Sequence, residues 1–130
     1  MNDLKPNHNF SFALKKLKEF VSTDIATERD RAGVIQAFEF TFEQFWKAAQ
    51  RIATQEGLEV KSPKQALGRA LELGLIEVSD EEDWLMMLKD RNSTSHMYKS
   101  ELAEKVCCRI TGRYIALFEA ANNAMNSSQA

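Results

Sequence analysis

Val34, Phe38, Phe42, Phe45, Ala49 and Ile52 follow one another at steps of three or four, while Gln36, Glu39, Glu43 and Gln50 gather on the opposite side. That spacing is the signature of an amphipathic helix. Ile35, Trp46 and Ala53 widen the apolar arc to about half the circumference at 100° per residue. A helix that wide must touch more than one neighbour, so it sits at the centre of whatever the chain builds. The stretch Phe38-Glu39-Phe40-Thr41-Phe42 alternates like a half-buried strand. The longer window decides for a helix from about residue 29 to 56, stopped by Gly57. Phe40 falls on the polar side, where it can face a second subunit. Glu39 and Glu43 read as a solvated stripe.

Only five glycines and two prolines punctuate 130 residues, which predicts few and long elements. Phe10, Leu14, Leu17 and Val21, with Ala13 and Phe20 beside them, predict a first helix over about 9–21. Ser62-Pro63 is an N-cap with proline at the first helical position, and Gly74 lies just past a short third helix. Asp80 is the expected cap of a fourth, with Glu81, Glu82 and Asp83 in its first turn and Trp84, Leu85, Met87 and Leu88 on its buried side. A last helix over about 100–124 places Leu102, Val106, Ile110, Leu117 and Ala121 on one face, widened by Tyr114 and Phe118; the tail NSSQA, residues 126–130, should fray. The expected fold is all-α, a single domain over 1–130 forming an antiparallel up-and-down bundle of about five helices.

A net charge of −2 offers no global attraction to a polyanion, so any nucleic-acid contact has to be local. No apolar run reaches the roughly 18 residues of a membrane span, and the N-terminus lacks the apolar core of a signal peptide. Cys107 and Cys108 are adjacent and cannot staple distant segments; Cys107 points with the apolar face as a small core residue. The reading is a reduced, cytoplasmic protein without metal or cofactor.

The connection RNSTSHMY, from Arg91 to Tyr98, interrupts this plain pattern. Within one continuous helix, residues five apart diverge by about 140°, so Arg91 and His96 would not converge. Asn92-Ser93-Thr94-Ser95 is a poor helix former, because its side chains compete for backbone hydrogen bonds. The helix is therefore expected to end or bend here, which lets Arg91 and His96 face one cleft. An arginine fork suits phosphate oxygens, and a histidine moves protons near neutral pH. Together they can cleave RNA without a metal. His96 would take the 2′-hydroxyl proton or protonate the leaving oxygen, and Arg91 would stabilise the phosphorane. One histidine does not ideally do both jobs; two subunits meeting at the cleft would supply two. Lys89 and Lys99 add local positive charge, and Tyr98 offers a hydroxyl. A plainer alternative stays open: Arg91 pairs with an acid such as Asp90, while His96 and Tyr98 are capping or partly buried polar residues.

The stretch RNSTSHMY resembles the Arg-x4-6-His signature of the HEPN superfamily, with the polar Asn92 directly after the arginine. Residues 31–47 (RAGVIQAFEFTFEQFWK), 57–76 (GLEVKSPKQALGRALELGLI) and 83–98 (DWLMMLKDRNSTSHMY) are similar, in order and spacing, to its HepT-like, nucleotidyltransferase substrate-binding branch. The resemblance implies a homodimer whose Arg-His motifs share a cleft. It also implies a toxin–antitoxin partnership with a separately encoded minimal nucleotidyltransferase. On that likeness Arg91 and His96 are catalytic in a metal-independent ribonuclease acting on RNA. Tyr98 is the acceptor of AMP units that silence it, with Asn92, Lys89 and Lys99 available to bind substrate. The older family name implies a rival: a non-catalytic subunit that binds substrate for the transferase. A third class, a purely structural dimer, would leave Arg91 and His96 as bystanders. The chain has no Gly-Ser…Asp-x-Asp signature of a transferase itself.

Overall fold

The computed structural model describes residues 4–94 and 100–128. Helix α1 spans His8–Val21 and α2 spans Glu28–Gln55. A capping box starts α2. The Thr27 hydroxyl accepts from the Asp30 amide at 3.0 Å, and the Asp30 carboxylate accepts from the amides of Thr27 at 2.9 Å and Ala26 at 3.0 Å. Those backbone donors hold the Asp30 carboxyl below its ordinary range. Gly57, at φ 76°, ends the helix in the left-handed conformation that side chains resist. The short α3, Pro63–Glu72, opens as expected with Ser62 accepting from the Gln65 amide at 3.1 Å.

A single 3-10 turn, Val78–Asp80, leads into α4, Glu81–Ser93. Asp80 occupies the N-cap position but makes no capping hydrogen bond with its side chain. Its carboxylate instead accepts from Arg113 at 2.8 Å, a stronger charge-assisted partner supplied by another helix. The C-terminal rod consists of α5, Ser100–Arg109, a π-helical turn, Ile110–Tyr114, and α6, Ile115–Ser128. The rod runs past residue 124 because Met125 is buried in the core and Asn126 accepts a 2.9 Å hydrogen bond from Asn7.

The pairings give the direction of each rod. Phe10 meets Phe45 at 5.5 Å, and the Thr41 hydroxyl lies 3.3 Å from the Ala13 carbonyl, so α1 and α2 are antiparallel. Asn7 reaches Asn122 and Asn126 while Lys18 reaches Glu119, so the C-terminal rod is antiparallel to α1. Asp90 binds Arg109 at one end of α4 and Trp84 packs on Phe118 toward the other, which makes that pair antiparallel too. The result is an up-and-down bundle with no strand among the described residues. No described helix is long and apolar enough to cross a membrane.

The core explains why α2 needs its broad apolar face. Phe38, Phe42 and Phe45 from α2 are enclosed with Phe10 of α1, Trp84 of α4, and Tyr114 and Phe118 of the C-terminal rod. Large rings in edge and offset contact supply much of the apolar burial. Three residues assigned above to apolar faces are exposed instead: Phe20, Leu85 and Leu102. Leu102 lies at the edge of a face that runs through Ala103, Val106, Cys107 and Ile110. Phe40 is about half exposed, as its position on the polar side of α2 requires.

Candidate functional site

Arg91 occupies the last turn of α4, and the polar residues after it end the helix by the expected chemistry. The Ser93 hydroxyl turns back 3.0 Å to the Lys89 carbonyl, and the Thr94 hydroxyl lies 2.8 Å from the Arg91 carbonyl. The Arg91 carbonyl also takes the Thr94 amide, so these hydroxyls share carbonyls with backbone donors, the competition that disfavours continuing the helix. Lys89 and Asn92 are exposed on the same turn. His96, Tyr98 and Lys99 lie outside the described residues.

Asp90, named in the plainer alternative as a partner for Arg91, is not available to it. Asp90 points into the bundle, where its carboxylate accepts from Arg109 Nε at 2.7 Å, from Arg109 Nη2 at 2.8 Å and from the Tyr114 hydroxyl. These partners occupy both oxygens of a carboxylate whose residue is 6% exposed. The bidentate bond to Asp90 raises the Arg109 pKa, and burial, followed by the bond to Asp90, raises that of Tyr114. Both donors therefore stay protonated at physiological pH.

The π-helical turn is what lets them meet. On an α-helix, residues five apart diverge by about 140°. A wider turn between Arg109 and Tyr114 closes that angle and brings both side chains to one carboxylate.

Arg91 instead pairs with Glu39 of α2. Its Nη1 lies 3.8 Å from Glu39 Oε2, with each side chain about one-third exposed. The Thr94 hydroxyl lies 2.8 Å from the same carboxylate oxygen, so its one proton is shared between Glu39 and the Arg91 carbonyl. Glu39 is therefore no member of a merely solvated stripe. Its spacing on α2 is that of a surface residue; only the arrival of the end of α4 against that face gives it a partner. Glu43, one turn on and about as exposed as Glu39, bonds within its own helix instead, accepting from the Trp46 indole at 2.9 Å and lying 3.4 Å from Lys47. Asp90 had one sequence signal: it follows Trp84 and Met87 on the buried side of α4, an unusual place for a carboxylate.

The other histidine, His8, lies far from this cluster. It lines a cleft of about 320 Å³ with Lys5 and Arg51, beside the start of α1 and the C-terminal half of α2.

Residues 6–127 match the model of the family described as nucleotidyltransferase substrate binding protein like. The chain belongs to that family. The HepT-like resemblance carried by the three sequence blocks thus holds over nearly the whole chain. The fold also matches a crystal structure of a protein from Thermus thermophilus, with a TM-score of 0.81 and 36% identity, covering 89% of this chain and 98% of that one. No curated protein matches the chain. The matched region spans Arg91, Glu39, Asp90, Arg109 and Tyr114, so the cluster belongs to the family's own domain.

Proposed function

We propose that this family member is the ribonuclease toxin of a HepT-like pair, silenced by a separately encoded nucleotidyltransferase. The observation that carries the reading is the state of Arg91. Its sequence neighbour Asp90 is fully engaged elsewhere, and its recorded ion pair, to Glu39, is long and partly solvated. A permanently charged fork so weakly committed can exchange its carboxylate for an RNA phosphate at small cost. In the proposed step the ribose 2′-oxygen bonds to phosphorus as the bond to the 5′-oxygen breaks. His96 takes the 2′-hydroxyl proton or returns one to the leaving oxygen, and Arg91 stabilises the phosphorane charge.

The working unit in this reading is a homodimer that brings two Arg-His motifs to one cleft. Phe12, Phe20 and Phe40 of α1 and α2, each about half exposed, are among the large apolar side chains available for pairing. Sedimentation at micromolar concentration should give twice the 14.8 kDa chain mass. A clean monomer would remove the shared cleft.

The family's description supports a second reading, a non-catalytic subunit that binds substrate for a nucleotidyltransferase. Incubating the purified protein with structured and single-stranded RNAs in EDTA separates the two. The nuclease reading expects cleavage to persist, because the proposed chemistry needs no metal. Intact RNA across the whole set would leave the binding reading in possession.

A further inference from the structure

Glu39 sits on a different helix from the Arg91 motif, 52 positions earlier in the chain, yet its carboxylate touches both Arg91 and Thr94. Carboxylate and phosphate oxygens make the same kind of contact with a guanidinium. We propose that Glu39 is a positioning residue for Arg91, an internal carboxylate that holds the guanidinium against α2 until a phosphate group of the ligand replaces it. The proposal rests on the reading of Arg91 as a phosphate contact, but not on catalysis.

Three features of the cluster support it. The Thr94 hydroxyl is directed to the same Glu39 oxygen that faces Arg91, so the carboxylate is oriented rather than free to rotate away. Asp90, the closer carboxylate in sequence, is withheld by Arg109 and Tyr114, which leaves Glu39 as the acid facing Arg91 among the described residues. The Arg91–Glu39 separation of 3.8 Å is also longer than a committed charge-assisted hydrogen bond of about 2.7–2.9 Å. An incoming phosphate therefore breaks no strong bond. It does have to displace one negative charge.

The test uses a fluorescein-labelled, fully 2′-O-methylated RNA oligonucleotide, which lacks the attacking hydroxyl and so reports binding without cleavage. Glu39→Gln keeps an acceptor for Thr94 and removes the competing charge. It should tighten binding on the order of fivefold at low salt, the effect of one unit charge about 4 Å away in a water-like dielectric. Any polyanion gains from losing a nearby negative charge, so two controls isolate the contact. Glu43→Gln, one turn along α2, should change binding less than about twofold, given how steeply surface charges are screened. Glu39→Gln placed on Arg91→Ala should also have less than about a twofold effect, because coupling requires both partners.

Unchanged or weaker binding by Glu39→Gln overturns the proposal. So does an equal gain in the Arg91→Ala background, or no binding by any variant. Cleavage of the unmethylated RNA by the wild type is scored separately. A protein that binds with the expected coupling but never cuts would sink the nuclease reading and leave the role of Glu39 standing.

Discussion

Arg91→Ala should lower RNA cleavage by about two to three orders of magnitude, the usual cost of losing one donor that stabilises transition-state charge. Stability should scarcely change. The side chain is about one-third exposed, and its recorded ion pair is 3.8 Å long. Pairs of that kind contribute roughly 0–1 kcal/mol. The melting temperature should therefore stay within a few degrees of wild type. Arg91→Lys should recover little activity, because an ammonium retains the charge but not the planar fork. His96→Ala should be at least as damaging, since proton transfer by a positioned side chain contributes about 10²- to 10⁴-fold. Single-turnover cleavage assays, with melts on the same samples, check all three. If the alanine variants cut as fast as wild type, these residues do not perform the chemistry.

Tyr98→Phe should abolish modification by the cognate nucleotidyltransferase. In the proposed reaction the Tyr98 oxygen would bond to the α-phosphorus of ATP, with pyrophosphate leaving and the phenolic proton passing to solvent or a base of the transferase. Phenylalanine has no oxygen to attack with. In the proposed silencing, each AMP would bring a negatively charged phosphate into the motif that holds Arg91. It would compete for the guanidinium and occupy the room an RNA phosphate needs. Cleavage should fall in step with labelling. Tyr98→Phe should stay active, and toxic when both proteins are made. Intact-protein mass spectrometry after incubation with the transferase, ATP and magnesium reads the outcome. Equal labelling of wild type and Tyr98→Phe would place the acceptor elsewhere.

The helices were legible because their determinants are local. The stripe from Val34 to Ile52, the Ser62-Pro63 start and the glycines at 57 and 74 each act within a few residues, and each has its expected role. The end of α4 was legible for the same reason: Ser93 and Thr94 bond to carbonyls only three or four residues back. The partners of the acids were not. Asp80 reads as a local cap but bonds to Arg113, 33 residues away, and Glu39 reads as solvated but bonds to Thr94, 55 residues away.

The order of apolar and polar residues in this chain determined an all-α bundle, a central α2 and a helix that stops just after Arg91. The motif from Arg91 to Tyr98 named the chemistry to look for. Tertiary structure alone decided which charges are spent and which remain. Asp90 is consumed because a π-helical turn, invisible to a 3.6-residue period, aims Arg109 and Tyr114 at one carboxylate. Arg91 is left to Glu39 because antiparallel packing lays the end of α4 against the middle of α2. Periodicity records which face of a helix is apolar. It carries no record of which distant charge will lie opposite, because that depends on how whole helices dock.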